Sequence, residues 1–194
     1  MRVSFANLTA LAKKNKRKQP LADDLWNSGV LEARILATLV ADPRLLTADH
    51  IDRWAHEANW QGATGYVARY VAHPSAHATE LLDRWLPAPQ ELVQRCGYQL
   101  LAWLAISPNG LPDKFFIAHL RTIQTGLHTA PNHTREAMNG ALIAIGRRNE
   151  TLQAPALKAA AKIGPVHIDH GPTACKTPDA TTEILKSHPR KKCC

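Results

Sequence analysis

The sequence predicts an all-α protein, an α-solenoid built from stacked antiparallel helical hairpins. Three observations predict it. Apolar residues recur at helical spacing from one end of the 194-residue chain to the other, and alternating Val/Ile/Thr strand patterns are almost absent. Gly and Pro punctuate the chain at short intervals, so the connections are brief. Short helices on brief connections pair into hairpins, and a stack of hairpins buries a seam that none could bury alone.

Taken in order, the spacing predicts helices over residues 4–18, 20–28, 30–41, 48–60, 62–72, 75–86, 89–106, 112–128, 133–148, 151–163 and 178–187. Gly29 stops the second, Pro43 follows the third, and Thr47 supplies a hydroxyl to cap the fourth. Pro74, Pro87, Pro89, Pro108 and Pro112 mark the turns that follow. The triplet Asp-Arg-Trp occurs twice, ending at Trp54 and at Trp85, and hints at an internal repeat. Trp26, Trp54, Trp85 and Trp103 fall where helices pack, so they are expected in the core or at its rim.

The segment 164–177, GPVHIDHGPTACKT, breaks the helical pattern and is expected to be an ordered loop. Asp169 and Thr173 can accept from backbone amides there, Gly171 permits a tight turn, and Thr177-Pro178 is expected to open the last helix. His167, His170 and Cys175 could reach one metal ion, with Asp169 as a fourth ligand. The spacing lacks the strict signature of a structural zinc site, and the reading adopted is no metal and no cofactor. A single domain over residues 1–187 and a basic tail over 188–194 complete the expected organisation.

The formal net charge is +8, with 24 Lys and Arg against 16 Asp and Glu. The excess sits at the ends: residues 1–19 carry no acid, and Lys13-Lys14-Asn15-Lys16-Arg17-Lys18 is nearly all cationic. Lys14, Lys16 and Arg17 are therefore candidates for contact with phosphates, the alternative being a solvated helix end whose cations suit the helix dipole. Four scattered cysteines make no disulfide framework, and no long apolar run marks a membrane span or a signal peptide. The expected compartment is the cytoplasm. There is no glycine-rich phosphate loop, no GxSxG elbow and no HExxH.

The segments LWNSGVLEARILATLVADP, IDRWAHEANW, VQRCGYQLLAWLA, AMNGALIAIGRRNETL and VHIDHGPTACKTPDA occur in this order. Together they resemble the HEAT-like DNA alkylation repair family. The resemblance implies a curved solenoid whose basic concave face holds duplex DNA and, in active members, excision of cationic alkylated bases. It also implies a short N-terminal cap, since members commonly carry further helical sequence ahead of the part matching VSFANL. Active members place a Trp and an Asp four residues apart on one helix, with a second Trp and an Arg on later helices. The carboxylate stabilises the developing oxocarbenium of the sugar, and indole faces contact deoxyribose and the cationic lesion. By resemblance, Trp60 matches the first Trp and Thr64 stands where the carboxylate should be. Gly140 stands where the second Trp should be, and Arg95 matches the phosphate-binding Arg.

Arg147 and Arg148, at the end of a helix, join Arg95 as candidate DNA contacts, the alternative for each being a salt bridge between repeats. The expected function is a monomeric DNA-binding protein of this family, recognising damaged or structured DNA, double-stranded or branched, with weak or no base excision. Two alternatives stay open. One is an active glycosylase whose carboxylate comes from elsewhere, Asp52 or Glu57 for example; the other is a helical scaffold for protein partners.

Overall fold

The computed structural model describes residues 3–108 and 110–186, and the expected tail lies outside the described residues. Among the described residues all regular structure is helical, in eleven α-helices and two short helical continuations. Packing gathers the chain into two compact units, one ending at Leu100 and the other beginning at Leu101.

The first unit contains α1 (Phe5–Lys14), α2 (Gln19–Asn27), α3 (Leu31–Val40), α4 (Ala48–Glu57), α5 (Gln61–Tyr66) and α6 (Ala78–Trp85), with the start of α7 (Glu91–Ile106). Ser4 and Thr47 cap α1 and α4 by accepting from the amides of Asn7 and His50, which satisfies N–H groups that have no partner inside the helix. Gly29, at φ +71°, turns the chain between α2 and α3 in the left-handed region that glycine enters without steric cost. The indoles of Trp26, Trp54 and Trp85 are fully buried, as the sequence leads one to expect. Those of Trp26 and Trp54 stack face to face, 4.3 Å between centroids. Trp103 is only partly buried, at the rim.

The helix expected over 4–18 stops early. Asn15 leaves helical geometry and Arg17 takes φ +59°, so Lys18 turns to donate its backbone N–H to the Val40 carbonyl. The helix expected over 48–60 ends at Glu57, because Ala58 is extended and Trp60 becomes the residue that starts α5. That helix continues as a π-helical turn, Val67–Ala72.

The second unit contains the rest of α7, then α8 (Asp113–Gly126) with a 3-10 turn at Leu127–Thr129, α9 (Asn132–Gly146), α10 (Glu150–Ile163) and α11 (Ala180–Lys186). A Cβ on Gly146 would come within 2.8 Å of Ala156 and Ile184, so this glycine sets how closely α10 and α11 approach α9. The non-helical stretch between α10 and α11 is the expected loop. It runs along α9, whose Asn132, Arg135 and Asn139 share one face and hold its backbone at Asp169, His167 and Pro178. Asp169 accepts from the Gly171 amide, Thr173 from that of Cys175, and Gly171 has φ +62°. One expectation is corrected: Asp179, not Thr177, caps α11 by accepting from the Thr182 amide at 2.7 Å. The Thr177 hydroxyl is engaged with His170, and the carbonyl of Pro178 with Asn139, so neither residue is available to start the helix.

Candidate nucleic-acid interface

In the first unit, a cavity of about 390 Å³ opens where α1, α3 and α5 meet. Phe5, Trp60 and Tyr66 supply aromatic walls, Leu8 and Ile35 an aliphatic floor, and Glu32 the one charged group among the described residues. Phe5 and Trp60 remain 46% and 38% exposed, so this apolar surface is open to solvent. The Trp60 ring lies directly over Gly62, where a Cβ would collide with its six-membered ring. The aromatic surface continues past Tyr66, which meets Phe5 at 5.5 Å and Tyr70 at 6.1 Å between centroids, and the guanidinium of Arg69 lies 4.9 Å over the Tyr70 ring. Burial raises the pKa of the Tyr66 phenol, which stays neutral.

Thr64, four residues after Trp60, faces inward and is fully buried. Its hydroxyl donates to the Gln61 carbonyl at 2.8 Å and lies 2.9 Å from Oε1 of Gln99. Arg95 is 8% exposed, and its Nε donates to that same Gln61 carbonyl at 3.1 Å. Two of the three acids of α4 are committed to tryptophans: Glu57 accepts from Nε1 of Trp26 at 2.6 Å, and Asp52 from Nε1 of Trp85 at 2.7 Å. Arg34 donates to the carbonyls of Trp26 and Glu57 and lies over the Trp26 ring. At the other end of α1, Lys13, Lys14, Lys16, Arg17 and Lys18 are all exposed.

In the second unit, Gly140 lines an open cavity of about 530 Å³ with Ile106, Ile143, Ala144, Arg147 and Arg148. Nothing lies within 4 Å of where a Cβ would stand on Gly140. The two arginines diverge. Arg148 donates to the carbonyls of Leu104, Ala105, Ser107 and Leu111 and lies 4.5 Å over the Phe116 ring, closing the C-terminal end of α7. Arg147 is exposed and turned to solvent.

His167, His170 and Cys175 are not drawn around a common point, and among the described residues no three such side chains are placed to hold a metal ion. Nor is any helix among them long and apolar enough to cross a membrane.

The sequence profile of the DNA alkylation repair enzyme family matches residues 3–184. The chain belongs to that family. It is 30% identical to an uncharacterized protein of Listeria monocytogenes, over 98% of this chain and 84% of the Listeria protein. An uncharacterized protein of Listeria innocua is 29% identical, over 97% and 83% of the two chains. A solved structure from a family of proteins related to the HEAT-like repeat DNA glycosylases, with affinity for branched DNA structures, superposes with a TM-score of 0.87 at 24% identity. That likeness covers 95% of this chain and 79% of the other, and it shows the HEAT-like repeat fold.

Thr64, which by resemblance stands where active members carry a carboxylate, points into the packed interior and carries no charge. Reading along the sequence did not single out Glu32 as a group facing Trp60. Its place in the first turn of α3 is a sequence signal, but its neighbour across the cavity lies 28 positions away.

Proposed function

We propose that this protein is a DNA-binding member of the alkylation repair family that recognises structured or branched DNA and has weak or no base excision of its own. The observation that carries the reading is Thr64: the position four residues after Trp60 holds a buried hydroxyl bonded to a backbone carbonyl. Such a group cannot stabilise a cationic sugar transition state. Gly140 adds to this, because where an aromatic is expected the structure has open space. The two acids that an alternative active site would recruit, Asp52 and Glu57, are occupied by indole N–H groups.

Binding is supported by family membership and by the affinity of the structurally similar family for branched DNA. Within the chain, Lys14, Lys16 and Arg17 stand exposed at the end of α1, and Arg147 beside the Gly140 cavity; these are the residues proposed to meet phosphates. Arg95 and Arg148 act from inside, holding the backbone that carries the surface. The proposed form is a cytoplasmic monomer that associates with the nucleoid when bound.

The test compares a four-way junction with linear duplex of the same length by fluorescence anisotropy. Tighter binding to the junction, weakening steeply with salt, is expected, and equal or salt-independent binding would refute the reading.

A further inference from the structure

We propose that the cavity between α1, α3 and α5 is a stacking platform for an unpaired nucleobase of single-stranded DNA, with Glu32 as the group that reads the edge of the base. The inference rests on the DNA-binding reading and deepens it by naming what the first unit recognises.

Three features carry it. The cavity, about 390 Å³, lies at the small end of the range of about 300–1,000 Å³ typical of small-ligand sites, room for one base. Its aromatic walls are Phe5, Tyr66 and Trp60, the last braced over Gly62, and Tyr70 extends the row beyond the cavity, the Phe5, Tyr66 and Tyr70 centroids stepping by 5.5 and 6.1 Å. Aromatic faces hold bases of any sequence by stacking, and the exposed Arg69 over Tyr70 adds a cation at the end of the row. Among the described residues the one charge lining the cavity is a carboxylate, which would repel a phosphate entering it. A carboxylate suits the amino group of a base, accepting from it as Asp and Glu accept from N4 of cytosine. A duplex keeps its bases stacked and paired, so the site selects the unpaired bases that a branch point or a single strand offers.

The experiment uses the full chain and labelled 12-mers. Oligo-dC should bind more tightly than an abasic 12-mer of equal charge, and oligo-dC more tightly than oligo-dT by about 5-fold, since thymine presents O4, an acceptor, where cytosine presents an amino group. Glu32→Gln, whose amide both donates and accepts, should erase the difference between dC and dT. Tyr66→Ala should weaken oligo-dC by about 10-fold and leave the abasic strand unchanged. Trp60 is the most exposed of the five indoles, so oligo-dC should quench tryptophan emission in the wild type and not in Trp60→Phe.

Equal affinity of the wild type for oligo-dC and the abasic strand would overturn the platform whatever the variants do. If the junction and duplex still bind, the DNA-binding reading survives that result. If nothing binds, both fall.

Discussion

By resemblance Thr64 stands where active members carry a carboxylate, and its surroundings disfavour a carboxylate there. An aspartate there would set a carboxylate against the Gln61 carbonyl in a fully buried site. Thr64→Asp is therefore expected to lose about 2 kcal/mol or more in urea denaturation, and to gain no excision. Single-turnover release of 3-methyladenine by the wild type should be absent or far below that of active family members. Activity that disappears in Glu32→Gln would transfer the catalytic role to that residue. Trp26 and Trp85 could be placed in the core from the sequence because large indoles at helical spacing bury well. That their N–H groups would consume Glu57 and Asp52 was not legible, since the partners lie 31 and 33 residues apart. Trp26→Phe removes the donor and also shrinks the buried indole to a single ring, so a cavity adds to the lost hydrogen bond and the expected cost is about 2 to 4 kcal/mol. Asp42 supplies the clearest dependence on pH. Its carboxylate accepts from the Arg44 side chain at 2.6 and 2.9 Å, and this holds its pKa at about 2. A depressed folded-state pKa stabilises the protein above the unfolded value of about 3.9 and ceases to do so as pH falls through 2. The melting temperatures of wild type and Asp42→Asn should thus differ at pH 6 and converge between about pH 4 and 2.

At the scale of the element, all eleven expected helices exist because apolar periodicity and caps are local signals. Boundaries failed where a partner distant in sequence decides them. α1 stops at Lys14 while Lys18 turns to Val40, and α11 waits for Asp179 because Thr177 and Pro178 are tied to His170 and α9. The π-helical turn after Tyr66 carries no residue type that would announce it. Two glycines of α9 look alike in sequence and part in structure. Gly140 faces open space, so Gly140→Ala should stabilise by about 0.5–1 kcal/mol through helix propensity. Gly146 is pressed by Ala156 and Ile184, so Gly146→Ala should destabilise by about 1–3 kcal/mol through overpacking. Thermal unfolding of the two variants side by side separates these mechanisms, and a shift in the same direction would show that the close approach of α10 and α11 is not fixed by Gly146.

Across the whole molecule, an excess of positive charge in the terminal segments of a chain whose middle is nearly balanced gives electrostatics without sequence preference. In the proposed reading the exposed lysines and Arg147 release counterions from DNA, whereas Arg95 and Arg148 are engaged with backbone carbonyls. Charge and motif alone do not distinguish these classes, because Arg95, Arg147 and Arg148 read alike along the chain and only burial and hydrogen bonding divide them. Removing the surface class, in a Lys14→Ala, Lys16→Ala, Arg17→Ala variant, should weaken junction binding uniformly across sequences. It should also flatten the plot of log K against log salt by about 0.9 for each duplex phosphate no longer neutralised. Arg95→Ala should behave differently. It removes a donor from the Gln61 carbonyl in a buried place, so its first effect should be a lower melting temperature, with the salt slope of the folded fraction unchanged. A reduced salt slope in Arg95→Ala at full stability would mean that this side chain reaches phosphate after all, and that the α5–α7 contact opens when DNA binds.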